Sequence, residues 1–185
     1  MSTALFLDFD KVLFDTERLK TQIKKAFLSV GYSDQEYTES YRAVRKIGYS
    51  PEKQIALMKR ELPSPILPRD FSQYVYPDVF PFLKELRKKG VWLGLISFGD
   101  PVWQEYKVVQ TGLKQEFDLI AYTSEEDNKV LPIRQAIEKH KFAHIIFVDD
   151  RREELEVVKK ALPEVEIAII TREVAGNTLP DILPW

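Results

Sequence analysis

The sequence predicts an α/β fold: a Rossmann-like parallel sheet with helices on both faces, interrupted by a small all-helical insertion. Three observations carry this. Short aliphatic runs without polar alternation recur along the chain, as in strands buried on both faces. Helical patterns separate them, and strand alternating with helix implies parallel strands joined by crossovers. One stretch near the start breaks the rhythm, with helical patterns and turns but no convincing strand.

The strand runs fall at residues 4–7, 91–96, 119–122, 145–148 and 166–170. Helical patterns cover 79–89, closed by Gly90, 101–111, closed by Gly112, 130–140, and 151–162 before Pro163. The insertion runs over 16–76, dividing a core domain made of 1–15 and 77–185. Within it Leu19, Ile23, Ala26, Phe27 and Val30 form one apolar helical face that stops at Gly31. Ser33 and Glu36 make a capping box for a second helix, whose face continues through Tyr37, Tyr41, Val44 and Ile47 to Gly48. Ser50 and Pro51 open a third as N-cap and first residue, before Pro63, Pro65 and Pro68 force an irregular return.

At 185 residues the chain accommodates one well-buried core plus an appendage. Its 27 basic and 29 acidic side chains nearly cancel, so no long-range field favours nucleic acid or an anionic membrane. With 0 cysteines it has no disulfide, thiolate metal site or cysteine nucleophile, which fits a reducing, cytoplasmic setting. The run 4–7 has no basic flank or cleavage pattern and is expected to be a buried strand, neither signal peptide nor membrane span.

Polar residues gather where the predicted strands end. Asp8 and Asp10 follow the first, and an extended backbone at this spacing would aim both carboxylates the same way. Ser97 closes the second, ahead of Phe98, Gly99 and a helix start at Asp100 and Pro101, where a hydroxyl and backbone N–H groups can hold phosphate. Asp149 and Asp150 close the fourth, and Lys129 precedes a helix. Singly, each has a structural explanation: strand punctuation, helix capping or a solvated charge. The two histidines, His140 and His144, lie away from the acidic residues and are expected to be structural. The glycines form neither a dinucleotide fingerprint nor a P-loop.

In their order, these residues resemble the haloacid dehalogenase-like superfamily. Asp8, Phe9, Asp10, Lys11, Val12 and Leu13 are similar to its Asp-x-Asp-Gly-Thr-Leu loop, followed by Asp15. Ser97 matches its second motif, Lys129 its third, and Asp149 with Asp150 its acidic fourth. The resemblance spans about residues 4 to 170 and includes the insertion as a helical cap.

It implies a phosphatase acting on a small-molecule phosphate ester through an aspartyl-phosphate on Asp8, with Asp10 protonating the leaving alcohol. Close negative charge is expected to raise the Asp10 pKa for that task. Ser97, the N–H groups from Phe98 onward and Lys129 would neutralise the phosphoryl oxygens. Clustered carboxylates repel unless a cation joins them, and oxygen ligands favour Mg²⁺. By resemblance Asp8 and Asp150 ligate it through side chains and Asp10 through its carbonyl, supported by Asp149 and Glu154.

Three positions depart from the pattern: Lys11 stands where glycine is common, which a tight turn of ordinary helical geometry would accommodate, Val12 stands where Thr is more frequent, and Glu154 stands where Asp or Asn is frequent. A phosphotransfer mutase, a dehalogenase of the same superfamily and a non-catalytic phosphate-binding or signalling protein are the alternative readings. Arg42, Arg45 and Lys46 are expected on the face opposite Tyr37, Tyr41 and Val44, either solvated or contacting the non-reacting part of an anionic substrate.

Overall fold

Strand β1 (Thr3–Leu7) is apolar on both of its faces, and the chain buries both. The computed structural model describes residues 2–58, 67–68, 70–124, 128–172 and 177–183. Parallel to β1 run β2 (Trp92–Phe98), β3 (Leu119–Thr123), β4 (His144–Asp149) and β5 (Glu166–Ile169), in the spatial order β3-β2-β1-β4-β5. Strand order therefore reverses beside β1, between β1 and β4. In open parallel sheets, the carboxyl ends at such a reversal frame the ligand crevice.

Alternation along β1 sends its side chains into two cores. Ala4 and Phe6 join Ile96, Phe147 and the buried faces of α6 (Val130–His140) and α7 (Arg152–Ala161). Gly94 of β2 is required here, because a Cβ would lie 2.5 Å from the Phe6 ring. Leu5 and Leu7 join the opposite core, with α4 (Val79–Lys88) and α5 (Pro101–Gln110). At roughly 1.5–3 kcal/mol per buried aliphatic or aromatic side chain, these two layers dominate the stability of the sheet.

The second core does not stop at the sheet. It continues into Leu19, Ile23 and Phe27 of α1 (Thr16–Ser29) and Tyr37 of α2 (Asp34–Arg45). These helices and α3 (Pro51–Met58) follow one another with no strand among the described residues of 16–58. The expected caps form: Ser33 and Glu36 make the reciprocal box, and the Ser50 hydroxyl accepts from Lys53 N–H at 3.2 Å. Ile47 departs from expectation. Helix α2 ends at Arg45, Gly48 turns the chain at φ +83°, and Ile47 is left 70% exposed. Pro63 and Pro65 lie outside the described residues.

Two chain segments join this helical region to the sheet, and they bond to each other. Asp15 N–H donates to Tyr74 O at 2.7 Å and Tyr76 N–H to Leu13 O at 3.1 Å. Arg172 fastens both: its Nε and Nη2 donate to Val12 O, its Nη1 meets both Asp78 oxygens at 2.9 Å, and its guanidinium covers the Tyr76 ring. The loop carrying Asp8 and Asp10 is thus anchored from behind. No helix among the described residues is long and apolar enough to cross a membrane. His140 stacks with Phe142 beside Trp92, and His144 faces Glu166, so neither histidine reaches the acidic residues.

Candidate active site

Register places the acidic residues together. Leu7 of β1 pairs with Val148 of β4, and Asp8 N–H extends the ladder to Val148 O at 2.9 Å, so Asp8 emerges beside Asp149. Between them stands Lys129, 1% exposed, whose Nζ donates to Asp8 Oδ1 and Asp149 Oδ2 at 2.5 Å each. Burial alone would depress the ammonium, but the two carboxylates outweigh it and raise its pKa. Asp8 is pushed up to about 8, by burial first and then by Asp149 and Asp10, with Lys129 opposing. Asp150 follows, pushed up to about 6 by burial and Asp149.

Oxygens of Asp8, Asp149 and Asp150 all lie within 4.8 Å of one another. The all-carboxylate donor set suits a hard divalent cation, and three carboxylates share the one buried ammonium of Lys129. The residues present therefore fit a metal ion. In this cluster Asp149 joins Asp8 and Asp150, whereas the Asp10 side chain is engaged elsewhere. Glu154 does not join it; its carboxylate accepts from Arg151 Nη2 at 3.0 Å.

Asp10 corrects the expectation of two parallel carboxylates. The strand ends at Leu7 and the chain bends at Phe9, so Asp10 pairs with Phe14 and its side chain goes to a different cation. Its Oδ1 accepts from Lys107 Nζ at 2.5 Å and Thr16 Oγ1 at 2.6 Å, and its Oδ2 from Gln104 Nε2 at 2.8 Å. Burial favours the neutral acid here, yet the Lys107 charge and the hydrogen bonds from Lys107, Thr16 and Gln104 prevail and hold the Asp10 pKa below the ordinary value. The expected rise is thus reversed, because a cation rather than Asp8 is its nearest charge.

Ser97 is fully buried at the end of β2, and among the described residues its Oγ has no hydrogen-bond partner; Thr123 Oγ1, at the end of β3, is in the same state. An orphaned hydroxyl is costly unless something supplies its bond. Phe98 is partly exposed, and its carbonyl accepts from Gln104. The Gly99 N–H, expected to face phosphate, instead donates to Thr123 O at 3.0 Å. Asp100 caps α5 by accepting from Trp103 N–H. Lys11 adopts φ +62°, against the expected helical geometry: the turn after Asp10 needs the left-handed conformation that favours glycine. Such strain costs about 1 kcal/mol for a side-chain-bearing residue and is retained here at the site.

One cavity of about 410 Å³ opens over these groups, lined by Asp8, Asp10, Lys11 and Asp150 from the carboxyl edge of the sheet and by residues of α1, α2 and α5. Thr16, Gln104 and Lys107 are participants that the sequence reading missed. One signal was present: Lys107 lies four residues after Trp103 and beside Val108 on the buried face of α5, where a lysine must have an anionic partner.

An open parallel sheet with an acidic cluster and a shared buried lysine at its strand-order reversal defines a class of α/β enzyme centre. The family model of haloacid dehalogenase-like hydrolases matches residues 5–168, and the chain belongs to that family. Comparison with curated proteins finds no match. Among solved structures, a candidate haloacid dehalogenase-like hydrolase from Burkholderia xenovorans LB400 is similar at TM-score 0.71 and 20% identity, over 95% of this chain and 89% of that one. An L-2-haloacid dehalogenase is similar at TM-score 0.59 and 20% identity, over 98% and 91%. A candidate β-phosphoglucomutase from Thermotoga maritima is similar at 0.57 and 16%, over 89% and 84%. At these identities the likeness is one of fold.

Proposed function

We propose that this protein is a Mg²⁺-dependent phosphomonoester hydrolase acting on a small phosphorylated metabolite in the cytoplasm. The observation that carries the reading is Asp8: a carboxylate at the strand-order reversal, opening on a cavity, beside two further carboxylates with one buried lysine among them. Asp8 Oδ1 is occupied by Lys129, and among the described residues no hydrogen bond reaches Oδ2, which is the attacking atom. Attack on phosphorus forms an aspartyl-phosphate, splitting one difficult displacement into two.

Asp8 and Asp150, with Asp149 beside them and the Asp10 carbonyl as the family resemblance implies, would hold the cation. Mg²⁺ supplies charge neutralisation between the carboxylates and the phosphoryl oxygens. Ser97 directs its unpartnered hydroxyl to the phosphate, and Lys129 adds positive charge from the opposite side. Asp10 leaves Lys107, Thr16 and Gln104, takes a proton from solvent and passes it to the leaving oxygen. The helical region 16–76 acts as the cap that excludes water.

The Asp10 clamp favours one competing reading, since a dehalogenase needs an aspartate nucleophile but no acid for its leaving halide. Both are decided together. Purified protein should release phosphate from p-nitrophenyl phosphate with Mg²⁺, stop with chelator and resume on restoring the metal. Metal-independent halide release from a 2-haloacid, without phosphate release, would replace the phosphatase with the dehalogenase.

A further inference from the structure

The cavity wall carries cations of two kinds. Those nearest Asp8 and Asp10 have carboxylate partners within the protein: Lys107 with Asp10 at 2.5 Å, Lys11 with Glu17 at 3.4 Å and Arg151 with Glu154 at 3.0 Å. On the helical side, Lys20 is likewise paired with Glu17 at 2.9 Å. Arg45 also lines the cavity, and among the described residues it has no carboxylate partner. The cavity lining also includes Leu19, Ile23, Tyr41, Tyr49 and Trp103, with the Tyr41 and Tyr49 rings 4.9 Å apart and tilted by 56°.

From this we infer that Arg45 is a specificity-determining residue, and that the preferred ester has an apolar leaving group bearing a second anion, a carboxylate or phosphate. This deepens the proposed function and rests on it for the identity of the reacting phosphate. The simpler account of Arg45 is that a cation in the last turn of α2 offsets the helix dipole. Arg42 occupies the same turn and serves that role equally, but it does not line the cavity. Among the described residues only Arg45 combines the missing carboxylate partner with access to the ligand space. Its guanidinium can meet an oxyanion with two parallel hydrogen bonds, and truncating a hydrogen bond to a charged group costs roughly ten- to a hundredfold in affinity.

The test compares p-cresyl phosphate with p-(carboxymethyl)phenyl phosphate, two esters of similar body and leaving group that differ in the distal carboxylate. The wild type should prefer the carboxylated ester by about tenfold or more in kcat/KM, chiefly through KM. Arg45→Ala and Arg45→Gln should bring the ratio close to unity, Arg45→Lys should restore part of it, and Arg42→Ala should retain it. Calorimetric binding of the two esters to Asp8→Asn, with and without Arg45→Ala, reads the same preference without turnover. Equal affinity for both esters, or a preference that survives Arg45→Ala or falls as much in Arg42→Ala, overturns the assignment. Preferential binding with no turnover of either ester would support the anion site and remove the phosphatase reading instead.

Discussion

Replacing Lys129 with Met gives the sharpest test of the buried charge arrangement. The ammonium is 1% exposed and is held 2.5 Å from each of two carboxylates. Met reproduces its side chain as far as Cε but withdraws the ammonium. Asp8 and Asp149 oxygens lie within 4.8 Å of each other and would repel by roughly 3–4 kcal/mol at an effective dielectric of about 20 if both were ionised. Asp8, already raised to about 8, therefore keeps its proton, and Asp149 is left a buried carboxylate without its cation. The cost of breaking a buried pair from one side is of similar size, about 3–5 kcal/mol. For a chain of this length that corresponds to a fall in Tm of roughly 10–15 °C. Thermal unfolding followed by circular dichroism, in chelator at neutral pH, measures it. Adding Asp149→Asn to Lys129→Met should recover about 2 kcal/mol or more, because the second change removes the buried carboxylate that has lost its cation. Turnover should remain lost in both variants. A single variant within about 1 kcal/mol of wild type, or a double variant no more stable than the single, would refute the reasoning.

Two further outcomes concern the carboxylates. Asp8→Asn should abolish phosphate release, while Asp10→Asn should keep phosphate affinity and slow turnover by roughly 10²–10⁴-fold; steady-state kinetics with calorimetry distinguishes them, and an active Asp8→Asn protein would place the nucleophile elsewhere. Mg²⁺ affinity should rise from pH 5 to pH 8 by up to about tenfold per unit, because Asp8, raised to about 8, must lose its proton to ligate, joined below about 6 by Asp150. The stability sign agrees: a raised folded-state pKa gives Asp8 a contribution fully present below its unfolded value and lost as pH climbs to about 8. The Mg²⁺-induced gain in Tm should therefore widen across that interval, and titrations that give one affinity at both pH values would contradict it.

The strands, most helix ends and the helical region were legible because their signals are local. Buried aliphatic runs, Gly90 and Gly112 after helices, the Ser33 and Glu36 box and the Asp100 cap each depend on a few neighbouring residues. The same holds for the acidic residues at strand ends, since strand boundaries themselves place Asp8 and Asp149 at the carboxyl edge. Ile47 was misplaced for the complementary reason: periodicity continues on paper after a helix has stopped, and here it stops at Arg45.

What the sequence by itself determined was the parallel sheet, its inserted helices and the order of Asp8, Ser97, Lys129 and Asp149 along it, all consequences of hydrophobic period and strand boundaries. Only the tertiary structure decided which cation each carboxylate meets. Asp10 lies 97 residues from Lys107, and Asp8 lies 121 from Lys129. Packing α5 against the loop after β1 brings Lys107 to Asp10, and the same folding step turns an expected proton donor into a clamped anion. Charge states at short range depend on distance and burial, and neither quantity exists until the chain has folded.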